Sequence, residues 1–179
     1  MIRAKKSLGQ NFLIDREVLE KITNVVQIKD KTILEVGPGT GNLTSFILKK
    51  NPKKMFVIEK DDDLSVNLNE IFKDQLTIIN DDILKVDENL IFKNKVTVFG
   101  NLPYNISTEI LSKWITQTKD EFWFNNLILM FQKEVADRII AKFNTSDYGR
   151  LSILSNWKLN VEKICDITVS YTHLRAHET

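Results

Sequence analysis

Apolar residues in this chain gather in short runs of four or five, each closed by a polar or glycine-bearing segment. The runs 32–36, 54–58, 76–79, 96–99 and 127–131 are rich in β-branched and aromatic residues, and their length predicts strands. Between them the apolar positions space out to every third or fourth residue. In 16–27 they are Val18, Leu19, Ile22, Val25 and Val26, with Asp15 placed to cap a helix. In 42–50 they are Leu43, Phe46 and Ile47, and the stretches 63–72, 108–116 and 133–142 are helix-compatible too. Strand and helix therefore alternate five times. Apolar strands joined by helical crossovers imply a parallel sheet covered on both faces, so the expected architecture is a doubly wound, Rossmann-like α/β domain over 1–169.

Composition changes this picture little. At 179 residues with 42% hydrophobic and 27% charged, the chain has the make-up of one globular domain. No run of about 18 apolar residues is present, so no membrane span is expected. The basic start, Met1 to Lys6, has no apolar stretch behind it and does not read as a signal peptide. Cys165 is the single cysteine, which leaves no disulfide pair and no cysteine cluster for zinc. A cytoplasmic, metal-free monomer is the expectation. A net charge of +1 does not by itself announce a nucleic-acid binder, so any RNA contact must come from local patches.

In open α/β sheets ligands bind beyond the carboxyl ends of the strands, and the unusual residues of this chain fall there. The first strand runs into Gly37-Pro38-Gly39-Thr40-Gly41, a turn that lets backbone approach a ligand closely. A pyrophosphate-binding fingerprint wants glycine where Asn42 stands, so the spacing favours a nucleoside-type ligand. Glu59 ends the second strand, about 20 residues on, where a carboxylate accepts from both ribose hydroxyls. Asp82 follows the third strand, placed to accept from an adenine amino group. The bland alternative is that both are solvated loop acids, like their neighbours Asp61, Asp62, Asp63 and Asp81.

Asn101-Leu102-Pro103-Tyr104 follows the fourth strand. Adenine's exocyclic amine is a poor nucleophile because its lone pair is delocalised into the ring. The Asn101 side-chain carbonyl and the Leu102 backbone carbonyl can each accept one amine hydrogen, which draws the nitrogen toward tetrahedral geometry. Pro103 stiffens the loop, and Tyr104 offers a face on which an extruded base stacks. Methyl displacement needs in-line alignment more than a strong base, so the lack of any histidine before His173 fits that chemistry and speaks against a histidine-based hydrolase. Taken alone, the tetrapeptide is an ordinary turn; the cofactor-like turn upstream gives it meaning.

These residues resemble the KsgA/Dim-type ribosomal RNA adenine dimethyltransferases, relatives of the Erm resistance methyltransferases. The likeness rests on Lys6-Ser7-Leu8-Gly9-Gln10-Asn11-Phe12-Leu13, 33–41, Val57-Ile58-Glu59, Asn80-Asp81-Asp82, 100–108, 132–138 and Tyr148-Gly149-Arg150-Leu151-Ser152. It implies a class I methyltransferase fold using S-adenosyl-L-methionine. The implied reaction is two successive methyl transfers to each of two adjacent adenines near the 3′ end of small-subunit ribosomal RNA. It also implies that Asn11 and Leu13 close over the cofactor, that Gly37, Gly39, Glu59, Asp82 and Asn101 contact it, and that Asn101 faces the target amine.

The chain departs from that family at 170–179, where a Phe- and Pro-rich loop and a small helical domain are expected and a foreign-looking tail stands instead. Cofactor binding is expected to survive this better than methyl transfer. Arg3, Lys5 and Lys6 form a basic arm, and Lys133, Arg138, Lys142 and Arg150 a second candidate patch for RNA phosphates, if they are not ordinary surface. Trp114, Trp123 and Trp157 have apolar neighbours and are expected to pack rather than stack bases. Two further readings compete: a nicotinamide-dependent oxidoreductase, which Asn42 disfavours, and a non-catalytic RNA-binding ribosome-assembly factor on the same fold.

Overall fold

A computed structural model describes residues 15–117 and 121–167. Five strands form one wholly parallel sheet: β1 (Thr32–Val36), β2 (Lys54–Ile58), β3 (Thr77–Ile79), β4 (Val96–Asn101) and β5 (Phe124–Met130). Their order is β3-β2-β1-β4-β5, so the chain winds outward to one side of β1 and then crosses to the other. The crevice between the carboxyl ends of β1 and β4 is thus the topological switch point, where such sheets take ligands.

The helices are α1 (Arg16–Thr23), α2 (Asn42–Leu48), α3 (Asp62–Phe72), α4 (Glu88–Ile91), α5 (Ser107–Thr116), α6 (Lys133–Ile140) and α7 (Arg150–Lys158). Alternation along β1 shows how both sheet faces are covered. Ile33 joins Leu19, Leu43 and Ile47 in a core layer under α1 and α2, while Leu34 joins Ile110 and Trp114 of α5 on the other face. Both β1 side chains are fully buried, as a two-residue period between two helical layers requires. A third small cluster, Leu111, Ile115 and Ile139, seats α6 and α7 against α5.

The doubly wound architecture follows the sequence pattern, and several boundaries differ from it. The first helix stops at Thr23 rather than at 27, because Asn24 caps it and turns Val25 and Val26 out of the helix. Asp15 caps its start, as expected, accepting from the Glu17 and Val18 amides at 2.9 and 3.2 Å. β5 begins three residues earlier, at Phe124, and β4 runs on through Gly100 and Asn101. α4 and α7 have no counterpart in the sequence reading. Residues 159–167 contain no helix or strand, and 168–179, with the tail of 170–179, lie outside the described residues. Trp114 and Trp123 are buried and pack edge-to-face at 5.6 Å, whereas Trp157 is 67% exposed and does not belong to the core. No helix among the described residues is long and apolar enough to cross a membrane, and no cluster among them could hold a metal ion.

Candidate active site

Strand register places the site. Val36 pairs with Ile58 on one side and with Gly100 on the other, and Ile58 pairs with Ile79. The next residue on each strand is therefore Gly37, Glu59, Asn101 and Asn80, four neighbours in one row. At about 4.8 Å per strand the row is roughly 14 Å wide. Residues far apart in sequence meet here because the sheet is parallel and closely in register.

The glycine turn is drawn tight against its neighbours. The Gly37 amide donates to the Ile58 carbonyl at 3.0 Å, and its φ of 69° lies in the left-handed region. A Cβ built on Gly37 would lie 3.4 Å from the Asn101 carbonyl oxygen and 3.8 Å from Pro103 Cδ, so the turn and the Asn-Leu-Pro-Tyr loop lie side by side. Gly41, at φ 83°, starts α2; a Cβ there would come within 2.5 Å of the Phe72 ring.

Glu59 is 7% exposed and holds the turn from its side. Its Oε2 accepts from the Gly39 amide at 3.2 Å and its Oε1 from the Asp61 amide at 2.9 Å. Each oxygen keeps a further acceptor site, so the carboxylate is oriented by protein and still able to receive two hydroxyls. Burial raises its pKa, with the Asp61 and Gly39 amides opposing. Asp61 is not the solvated loop acid of the bland reading: it is 4% exposed and caps α3 through the Asp63 and Leu64 amides.

Asp82 opens a turn just beyond β3. Its Oδ1 accepts from the Leu84 amide at 3.0 Å, and its Oδ2 bonds Lys60 Nζ at 2.8 Å. The Lys60 ammonium holds the Asp82 carboxyl below the usual range. An incoming amino group would therefore share this carboxylate with Lys60, a partner the sequence did not suggest.

Asn101 is the last residue of β4 and half-buried. Leu102 is 1% exposed and sunk into the core beside Val98 and Trp114, which fixes its backbone. Tyr104 is half-buried, and its carbonyl accepts from the Ser107 hydroxyl at 3.3 Å, while the Pro103 carbonyl accepts from the Ile106 amide at 3.1 Å. The loop is thus clamped between a strand end and the first turn of α5. Glu35, inside the 33–41 segment but given no role by the sequence, lies fully buried on β1 and accepts from the Thr44 hydroxyl at 2.7 Å. Burial pushes its pKa to about 8, against the Thr44 hydrogen bond and with a smaller push from the Glu59 charge.

Of the basic candidates, Lys133, Arg138, Lys142 and Arg150 are exposed on α6, α7 and the loop between them. Lys133 is engaged by Asp137 at 2.6 Å on its own helix, which raises its pKa. Arg3, Lys5, Lys6, Asn11 and Leu13 lie outside the described residues.

Comparison with known proteins adds a family. Residues 1–174 match the ribosomal RNA adenine dimethylase family. A "Ribosomal RNA small subunit methyltransferase A" from Pelagibacter ubique (strain HTCC1062) is 68% identical over 166 residues, covering 93% of this chain and 63% of that relative. A protein of the same name from Wolbachia sp. subsp. Drosophila simulans (strain wRi) is 43% identical over 171 residues, covering 93% and 62%. The chain therefore spans less than two thirds of the length of these relatives. Among solved structures, a dimethyladenosine transferase from Plasmodium falciparum superposes with a TM-score of 0.69 at 30% identity, over 80% of this chain and 51% of that one. The 23S rRNA methyltransferase ErmE gives 0.64 at 25% identity, over 81% and 55%.

Proposed function

The chain belongs to the ribosomal RNA adenine dimethylase family, and from that premise we propose that it methylates adenine in ribosomal RNA. The donor in this reading is S-adenosyl-L-methionine, and the targets are the exocyclic amines of two adjacent adenines near the 3′ end of small-subunit RNA, in the cytoplasm. The observation that carries the reading is the register row that sets Gly37, Glu59 and Asn101 side by side at the switch point.

The residues present fit such a cofactor. Glu59 is buried, oriented and still able to accept two ribose hydroxyls, and Gly37 and Gly39 bring backbone rather than side chain to the crevice. Asp82 receives the adenine amine beside Lys60. Asn11 and Leu13, by family likeness, would close over it. The cofactor supplies an electrophilic methyl group on a sulfonium.

On the acceptor side, Asn101 and the Leu102 carbonyl take the two hydrogens of the target amine, and so aim its lone pair across the crevice. Tyr104 stacks the extruded base. Arg138, Lys142 and Arg150 contact phosphates and fix the RNA without reading its sequence.

The test is transfer of labelled methyl to under-methylated small ribosomal subunits, with cofactor binding measured by calorimetry and Asn101→Ala alongside. Label in adenine that the variant loses supports the reading. Cofactor binding without transfer would restrict it to a methyl-donor-binding core, and a folded chain that binds no cofactor would overturn it in favour of an RNA-binding assembly factor.

A further inference from the structure

Among the described residues, the site as given above leaves one buried ion pair without a task. Lys113, on α5, has a side chain only 9% exposed, and its partner Glu88, at the start of α4, only 2%. Lys113 Nζ lies 3.0 and 3.1 Å from the two Glu88 oxygens and 2.7 Å from the Ile83 carbonyl oxygen, and it also donates to the Val86 carbonyl. An ammonium has three hydrogens, and here they meet the Ile83 carbonyl, the Val86 carbonyl and the Glu88 carboxylate. Trp114 Nε1 completes the set, donating to Glu88 Oε1 at 2.6 Å.

The two carbonyls belong to the turn that Asp82 opens. The Asp82 carbonyl accepts from the Lys85 and Val86 amides at 2.8 and 3.2 Å, its Oδ1 accepts from Leu84, and Ile83 and Val86 are buried against the α5 core. Lys113 therefore grips the backbone of the turn that aims Asp82. The same helix, six residues earlier, is tied through Ser107 to the Tyr104 carbonyl. Six residues of α-helix span about 9 Å. α5 is thus one rigid bar with the Asn-Leu-Pro-Tyr loop on its first turn and the Asp82 turn on its second. A buried ion pair is a costly way to gain stability alone, since well-packed apolar residues often serve as well.

The geometry points to Lys113 and Glu88 as positioning residues that fix the Asp82 turn to α5 and thereby set recognition of the cofactor's 6-amino group. This rests on the cofactor reading given above. Through α5 they also hold the nucleoside end of the crevice at a set distance from the methyl-acceptor loop, which in-line transfer requires.

The test compares calorimetric binding of S-adenosylhomocysteine with that of S-inosylhomocysteine, in which a carbonyl replaces the 6-amino group. The chains are the unsubstituted protein, Lys113→Met, and Lys113→Met/Glu88→Gln, with Asp82→Asn as reference. The double variant removes both buried charges and keeps an acceptor for Trp114, so it should fold even where the single one fails. The unsubstituted chain should prefer the adenine ligand by about tenfold or more, a preference of the size that one charge-assisted hydrogen bond confers. In the double variant that preference should collapse while inosine-ligand affinity holds, and adding Asp82→Asn should change nothing further. A preference retained in the variant overturns the inference alone. Parallel weakening of both ligands, or loss of fold in both variants, reduces the pair to a structural role and also overturns it. An unsubstituted chain that binds neither ligand overturns the cofactor reading, and this inference with it.

Discussion

Thr44 donates its hydroxyl to the Glu35 carboxyl at 2.7 Å, joining α2 to β1 inside the core just beneath the glycine turn. Both residues are at most 1% exposed. Burial raises the Glu35 pKa to about 8 from 4.5, so at neutral pH the folded chain holds a proton there that the unfolded chain has released. Between those two values the folded state binds more protons, and its stability falls as pH rises. Buried Glu59, whose pKa burial also raises, adds in the same sense. Glu35→Gln mimics the protonated form and keeps an acceptor for Thr44. Urea denaturation across pH 5 to 9 should show the downward slope of the parent flatten in the variant, which gains at most about 5 kcal/mol at the alkaline end. An unchanged slope would assign it to other groups.

Gly41→Ala should be among the most damaging small substitutions in the domain. The added methyl would stand 2.5 Å from Phe72 Cε2 and 3.1 Å from Leu68 Cδ2, at a φ of 83° that alanine resists. Strain and overpacking together should cost about 2–4 kcal/mol. Phe72→Leu in the same chain should recover the steric share and leave the backbone share, which separates the two by denaturant midpoint.

Glu59→Gln should weaken cofactor binding by about 10- to 100-fold, the loss expected when charge-assisted bonds become neutral. Asp61→Ala, by contrast, removes the α3 cap that accepts from the Asp63 and Leu64 amides. It should cost about 1 kcal/mol of stability with a smaller effect on affinity, because the Asp61 amide that Glu59 Oε1 accepts from remains. Calorimetry and thermal melts on both variants distinguish an orienting residue from a binding one.

Legibility in the sequence followed the range of each signal. Strand-to-helix alternation is local, and the parallel sheet emerged from it, whereas the strand order that puts the switch point between β1 and β4 is long-range and did not. Glu59 and Asp82 could be picked out because they stand at strand ends, and Asp61 was within reach of the capping rule although its acidic neighbours masked it. α4 is four residues long, too short for any period. α7 escaped for a different reason: it buries Ser152 and Ser155 while Ile153 and Trp157 face outward, so its apolar pattern points the wrong way. Glu35 and Lys113 sit inside apolar-patterned elements and Glu88 opens the four-residue α4, and nothing within a few residues marks any of these charges as buried. Their partners lie 9 to 30 residues off and appear only when the sheet is assembled.

The basic residues of α6 and α7 should not contribute equally to RNA binding. Lys133 and Asp137, four residues apart on α6, form an exposed ion pair at 2.6 Å, so a phosphate reaching Lys133 must compete with a carboxylate already in place. Among the described residues, Arg138 and Arg150 make no such pair. Counterion release then sets the expectation: each true phosphate contact to a single strand adds about 0.7 to the slope of log affinity against log salt. Arg150→Ala and Arg138→Ala should each lower that slope by about this amount, and Lys133→Ala by distinctly less. Asp137→Asn should tighten binding by freeing Lys133, and that gain should vanish when Lys133 is removed as well. Filter binding of a small-subunit RNA fragment between low and physiological salt gives all four slopes. Equal losses at Lys133, Arg138 and Arg150 would show that the intrahelical pair does not withhold the Lys133 charge, and no loss at any of the three would place the RNA on another face.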